Sequence, residues 1–167
     1  MDLETYASCY QGQEVAVHGK LHQNLTTLSP KELEEEIGED VAAITKIFGE
    51  KPVGISYAYG VYNETVLQMV QKYGLRYGRG VNDTHAFSEQ FNLLEFQPTC
   101  HYDDPQIFAL ADRFLQMHPK EPQIFCIWGH SYEMDGKNNW SDLECFFNKI
   151  SGKSDIFYGT CREVLLR

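Results

Sequence analysis

The sequence is poor in basic residues, with 14 Lys and Arg against 24 Asp and Glu, a formal net charge of -10 and a sequence pI near 5.0. No run of cations is dense enough to neutralise several phosphates together, which argues against nucleic acid and against an anionic membrane surface as partners. Long apolar runs are missing too: nothing approaches the roughly 18 successive apolar residues of a bilayer span. The opening MDLETYASCY carries acids where a secretory leader has basic residues, and no apolar stretch follows it, so the expectation is a cytoplasmic chain. There is no C-x-x-C pair, and the five cysteines (Cys9, Cys100, Cys126, Cys145, Cys161) make an odd count. That argues against a zinc ribbon or a redox centre, leaving reduced thiols, with Cys126 expected in the core from its place in QIFCIW. Repeats, low-complexity tracts and linkers rich in Pro, Gly and Ser are absent as well. A single domain over 1–167 is therefore expected, with the edges and apolar faces of its sheet covered by self-association into a homo-oligomer if that sheet does not close.

What is present is enough for a core, since 43% of the 167 residues are hydrophobic and 23% charged. Short apolar runs at Glu14–His18, Val53–Tyr57, Leu75–Val81, Gln123–Trp128 and Asp155–Thr160 read as strands. Longer amphipathic stretches lie between them. In the clearest, Ser29 can cap, Pro30 suits the first turn, Glu32 can complete a capping box, and Gly49 ends the helix. Leu33, Ile37, Val41, Ile44 and Phe48 form its apolar stripe, and the run Glu34-Glu35-Glu36 reads as its solvated face. Further helices are expected from Asn63 to Gly74, after Asp104-Pro105, and from Asn139-Trp140. Alternation of this kind implies an α/β protein with mostly parallel strands, whose site collects at the carboxyl ends of those strands.

The residues at each strand end are therefore the candidates for chemistry. His18 closes the first strand and His22 follows four residues later, a spacing at which two imidazoles meet one ion if the turn between them is helical. Zinc suits neutral imidazole best, and cobalt, nickel or iron would bind too. After the second strand, Tyr57, Tyr59, Gly60 and Tyr62 form an aromatic turn that could line a sugar-sized groove, with plain packing as the alternative. The fourth strand leads into Trp128-Gly129-His130, where a histidine beside an indole is placed to donate a proton. His101 or Asp103 could complete a metal shell, whereas Asp104 reads as a cap before Pro105. His85 and His118 carry no argument.

Residues 13–82, with the His18-x-x-x-His22 pair, the long helix and the Tyr59-Gly60 turn, resemble the polysaccharide deacetylase family, carbohydrate esterase family 4. The resemblance implies an incomplete (β/α) barrel of mostly parallel strands, with His18 and His22 as metal ligands. It also implies a carbohydrate groove involving Tyr59, Gly60, Tyr62 and Trp128, and His130 as general acid. The expected activity is metal-dependent removal of acetyl groups from a sugar polymer or oligosaccharide. Ser56 and Ala58 depart from the arginine and proline of the family's R-x-P-Y-G groove motif, and the strand ending in paired aspartates is not found. The opening strand, helix and strand are thus expected to be missing, with zinc or another divalent transition metal held weakly. The alternative is a catalytically impaired homologue that binds carbohydrate or only a protein partner.

Overall fold

A computed structural model describes residues 3–167; Met1 and Asp2, the first of the acidic opening stretch, lie outside the described residues. The chain divides into two compact units. The first runs through Gly80 and takes back Phe91–Phe96 and Gly159–Arg167; the second comprises Val81–Gln90 and Gln97–Tyr158. In chain order the first unit holds α1 (Leu3–Ser8), α2 (Pro30–Phe48), β1 (Gly54–Ser56), α3 (Glu64–Lys72) and β2 (Tyr77–Arg79). The second holds β3 (Cys100–His101), α4 (Ile107–Leu115), β4 (Ile127–Trp128), α5 (Ser131–Lys137) and α6 (Trp140–Ile150), and α7 (Cys161–Leu165) returns to the first. The class is α/β with parallel pairing, as expected.

In the first unit α2 forms as its local signals dictate. The Ser29 hydroxyl and the Glu32 carboxylate close a reciprocal capping box, and Gly49 at φ 75° donates its N–H to Thr45 O at 2.9 Å. Leu33, Ile37, Val41 and Ile44 are buried together with Val17, Ile55 of β1, and Val66 and Val70 of α3. β1 pairs in parallel with β2, Gly54 opposite Tyr77 and Ser56 opposite Arg79. Tyr77 lies over Gly54, where an added Cβ would sit 1.9 Å from the ring, and Tyr57 lies over Gly78, where it would meet the hydroxyl at 2.2 Å. Each glycine is thus required by a ring rather than by its own backbone.

The expected strand Glu14–His18 contracts to a single parallel bridge between Val17 and Ile55. Val17 donates to Gly54 O at 2.9 Å and accepts from Ser56 N at 2.8 Å. The next bond of such a ladder would join Gly19 N to Ser56 O. It cannot form, because Gly19 N is held by Asp40 and Ser56 O by the His18 side chain.

In the second unit β3 and β4 pair in parallel, Cys100 opposite Ile127 and His101 opposite Trp128. Phe87, Cys100, Ile107, Leu110, Ala111 and Phe146 make a separate core. Burial pushes the Cys100 thiol up to about 12. Cys126, expected in the core, is only half-buried. The expected strand Asp155–Thr160 is a loop instead: the Tyr158 hydroxyl donates to Ile150 O at 2.7 Å and accepts from Lys153 N at 2.9 Å, fixing the segment without a strand partner. Among the described residues no helix is long and apolar enough to cross a membrane.

Candidate functional site

The first unit brings His18 and His22 together, their ring centroids 4.7 Å apart. The turn between them is not helical. Gly19 and His22 both take left-handed backbone, at φ 89° and 55°, so the rings meet across a coiled loop rather than along one helix face. The Ser56 carbonyl can only accept, so at 2.6 Å it fixes a proton on His18 Nδ1. That is the tautomer a metal-binding imidazole needs.

Tyr59 continues the ring series, its centroid 4.8 Å from His22. It is 62% exposed and sits at φ 59° beside Gly60 at φ 70°, a turn that aims the ring outward next to the histidine pair. Tyr62 goes another way. It is partly buried against the core, its ring 4.8 Å from that of Tyr57, whose hydroxyl donates to Leu94 O at 2.8 Å. Burial pushes the Tyr57 phenol well above its ordinary range. Where the groove motif would have arginine the chain has Ser56, and the guanidinium that reaches the Ser56 hydroxyl comes from Arg79 of β2.

Two acids of α2, not among the site residues expected from the sequence, hold this loop. Glu36, within the expected solvated face, is 2% exposed, and with Asp40 its carboxylate accepts the backbone N–H groups of residues 18, 19, 21 and 23. The signal lay in the spacing: 36 and 40 are one helical turn apart and flank the apolar stripe at 33, 37, 41 and 44.

In the second unit, Glu133 accepts from His130 Nδ1 and from His101 Nε2, each at 2.9 Å. His101 Nδ1 in turn accepts from Asp103 N–H at 3.3 Å, so both of its ring nitrogens are spent. Asp103 meets Lys137 and the Asn139 amide, and Asp104 accepts from Gln106 N at 2.7 Å and from His85 at 2.6 Å. The Trp128 ring centroid lies 4.7 Å from that of His101 and 5.9 Å from that of His130, and its indole N–H donates to Asp83. Burial works against charge on Glu133, but the hydrogen bond from His130 and the two nearby imidazoles hold its carboxyl below the usual range. Nδ1 of His130 being occupied, Nε2 is the nitrogen left to exchange a proton. Glu133 was also missed, although H-x-x-E at a helix start is its signature.

Two adjacent imidazoles, one with its tautomer fixed, fit part of a divalent metal site. Among the described residues, no group of three or more His, Cys, Asp and Glu could hold a metal ion. The donor set is therefore a half-shell.

Residues 5–78 match the sequence model of the polysaccharide deacetylase family, a span that contains His18, His22, Tyr59, Gly60 and Tyr62 but not His130. No curated protein matches significantly. Among solved structures, a family 4 carbohydrate esterase pseudoenzyme from Bacillus anthracis, BA3943, is similar at 16% identity and a TM-score of 0.64 over 96% of this chain and 50% of that one. A family 4 carbohydrate esterase from Streptomyces lividans, solved with acetate, is similar at 18% identity and a TM-score of 0.55 over 87% and 69%. A Streptococcus pyogenes deacetylase, also with acetate, is 24% identical at a TM-score of 0.47 over 50% and 37%. The chain thus spans about half the length of the Bacillus protein and less of the Streptococcus one.

Proposed function

Because this chain belongs to the polysaccharide deacetylase family, carbohydrate esterase family 4, we propose that it is a metal-dependent hydrolase of an incomplete (β/α)-barrel fold that removes acetyl groups from a sugar polymer or oligosaccharide. The observation that carries this reading is the apposition of His18 and His22 with the His18 proton held on Nδ1 by Ser56. His18 and His22 would supply two ligands to zinc or another divalent transition metal, which when bound would polarise an acyl oxygen and acidify a water. The exposed Tyr59 ring, turned outward by Gly60, would offer a face to a sugar beside that pair, with Tyr62 supporting the turn. His130, held by Glu133 at Nδ1, would serve as a proton donor through Nε2. Self-association covering open strand edges belongs to the same proposal.

One observation favours a second reading, a catalytically impaired homologue that binds carbohydrate or only a protein partner: the described residues hold only a half-shell of metal donors. Two measurements on the full chain separate the readings. Bound metal in the purified protein, lost in a His18→Ala, His22→Ala double variant, together with acetate released from an acetylated oligosaccharide, supports the hydrolase. Metal without acetate release leaves the impaired homologue; neither metal nor release removes the metal reading altogether.

A further inference from the structure

We infer that Glu36 and Asp40 are positioning residues that set the spacing of the His18 and His22 imidazoles. The inference rests in part on the metal reading above. A carboxylate as buried as Glu36, 2% exposed, is tolerable only when its oxygens are paired, because the low-dielectric interior does not replace the water it loses. Among the described residues, its hydrogen-bond partners include no cation. Its Oε1 accepts from the backbone N–H of Leu21 at 2.8 Å and of Gln23 at 3.2 Å, and its Oε2 from the Gln23 side-chain amide at 3.2 Å. One turn further along α2, Asp40 Oδ2 accepts from the N–H of His18 and of Gly19, both at 2.9 Å. Between them the Glu36 main-chain carbonyl takes Lys20 N at 3.2 Å. The backbone of 18–21 and 23 thus folds as a concave set of donors around two carboxylates on a single helix.

Two further features show how tightly that fit is drawn. A Cβ on Gly19 would stand 2.9 Å from Glu36 Oε1, so only glycine lets the loop approach the carboxylate. His22 holds a left-handed backbone, which is unfavourable for a non-glycine residue and persists only where surrounding contacts impose it. Those contacts are the bonds from Leu21 and Gln23, on either side of His22, to Glu36. The helix carrying both acids is capped at each end and packed along Leu33, Ile37, Val41 and Ile44, so the carboxylates are fixed points. The imidazoles inherit their separation from the one-turn interval between 36 and 40.

The test compares Glu36→Gln, Asp40→Asn and, as a control on an exposed acid of the same helix, Glu35→Gln, in the full chain. Zinc affinity is read by competition with a chromogenic chelator, and the loop is read without metal, by amide exchange over 18–23 and by the Overhauser contact between the His18 and His22 rings. Expected for Glu36→Gln and Asp40→Asn are a loss of zinc affinity of about ten-fold or more, faster loop exchange and a weakened ring contact, with the exchange of α3 unchanged. Glu35→Gln should match the wild type. If the wild type takes up no zinc, the metal reading falls, and faster exchange with a lost ring contact in the variants still supports the positioning role. Loop exchange and ring contact unchanged in both variants would overturn it. Should Glu36→Gln fail to fold, Asp40→Asn carries the same readouts.

Discussion

The Glu133 carboxylate lies 2.9 Å from His130 Nδ1, three residues before it in the chain, and spends its other oxygen on His101. A carboxyl held below its ordinary range in the folded state favours folding while it is ionised. That contribution is fully present above the unfolded glutamate value of about 4.3 and is lost as pH falls through the lower folded value.

Glu133→Gln should therefore lower the melting temperature most near neutral pH, and the gap to the wild type should close progressively in acid. Melting curves at a series of pH values between roughly 3 and 7 check this. A gap independent of pH would mean that the carboxylate is not charged against the imidazoles.

Gly78→Ala should destabilise the first unit by about 1–3 kcal/mol, because the added methyl meets the Tyr57 hydroxyl, which is itself tied to Leu94 O. Denaturant titration checks the value, and Gly78→Ala combined with Tyr57→Leu should recover part of the loss.

Ile37→Ala, at a fully buried position of the α2 stripe, should cost roughly 2–5 kcal/mol. Exchange protection should fall in α2 and α3. Protection of α4 and α6, which belong to the other core, reports whether the two units unfold together.

Tyr59→Ala should change stability by no more than about 0.5 kcal/mol, since the ring is mostly exposed. Retention of the chain on an acetylated oligosaccharide should nevertheless drop. Unchanged retention would remove Tyr59 from the sugar-binding reading.

Much of the first unit was legible because its signals are local. Ser29, Pro30, Glu32 and Gly49 announce α2 within a single stretch, and Asn63 caps α3 by accepting from Val66 N at 3.0 Å. The histidine pair was legible from spacing and context, though not its geometry, because the left-handed backbone at His22 is imposed by acids more than a dozen residues away. Strands were harder to read. The run Gln123–Trp128 announced β4, though only Ile127–Trp128 pair, whereas β3 has just two residues, Cys100 and His101, and no period within them could mark it. Glu36 was misread because a charge run looks solvated whichever of its members turns inward.

The overlap of Tyr77 with Gly54, and of Tyr57 with Gly78, ties the substitution histories of these positions. A glycine here can acquire a side chain only after its tyrosine has shrunk, so each pair is expected to change in step among descendants of this sequence, and a lone replacement on the glycine side marks a lineage whose ring has already gone.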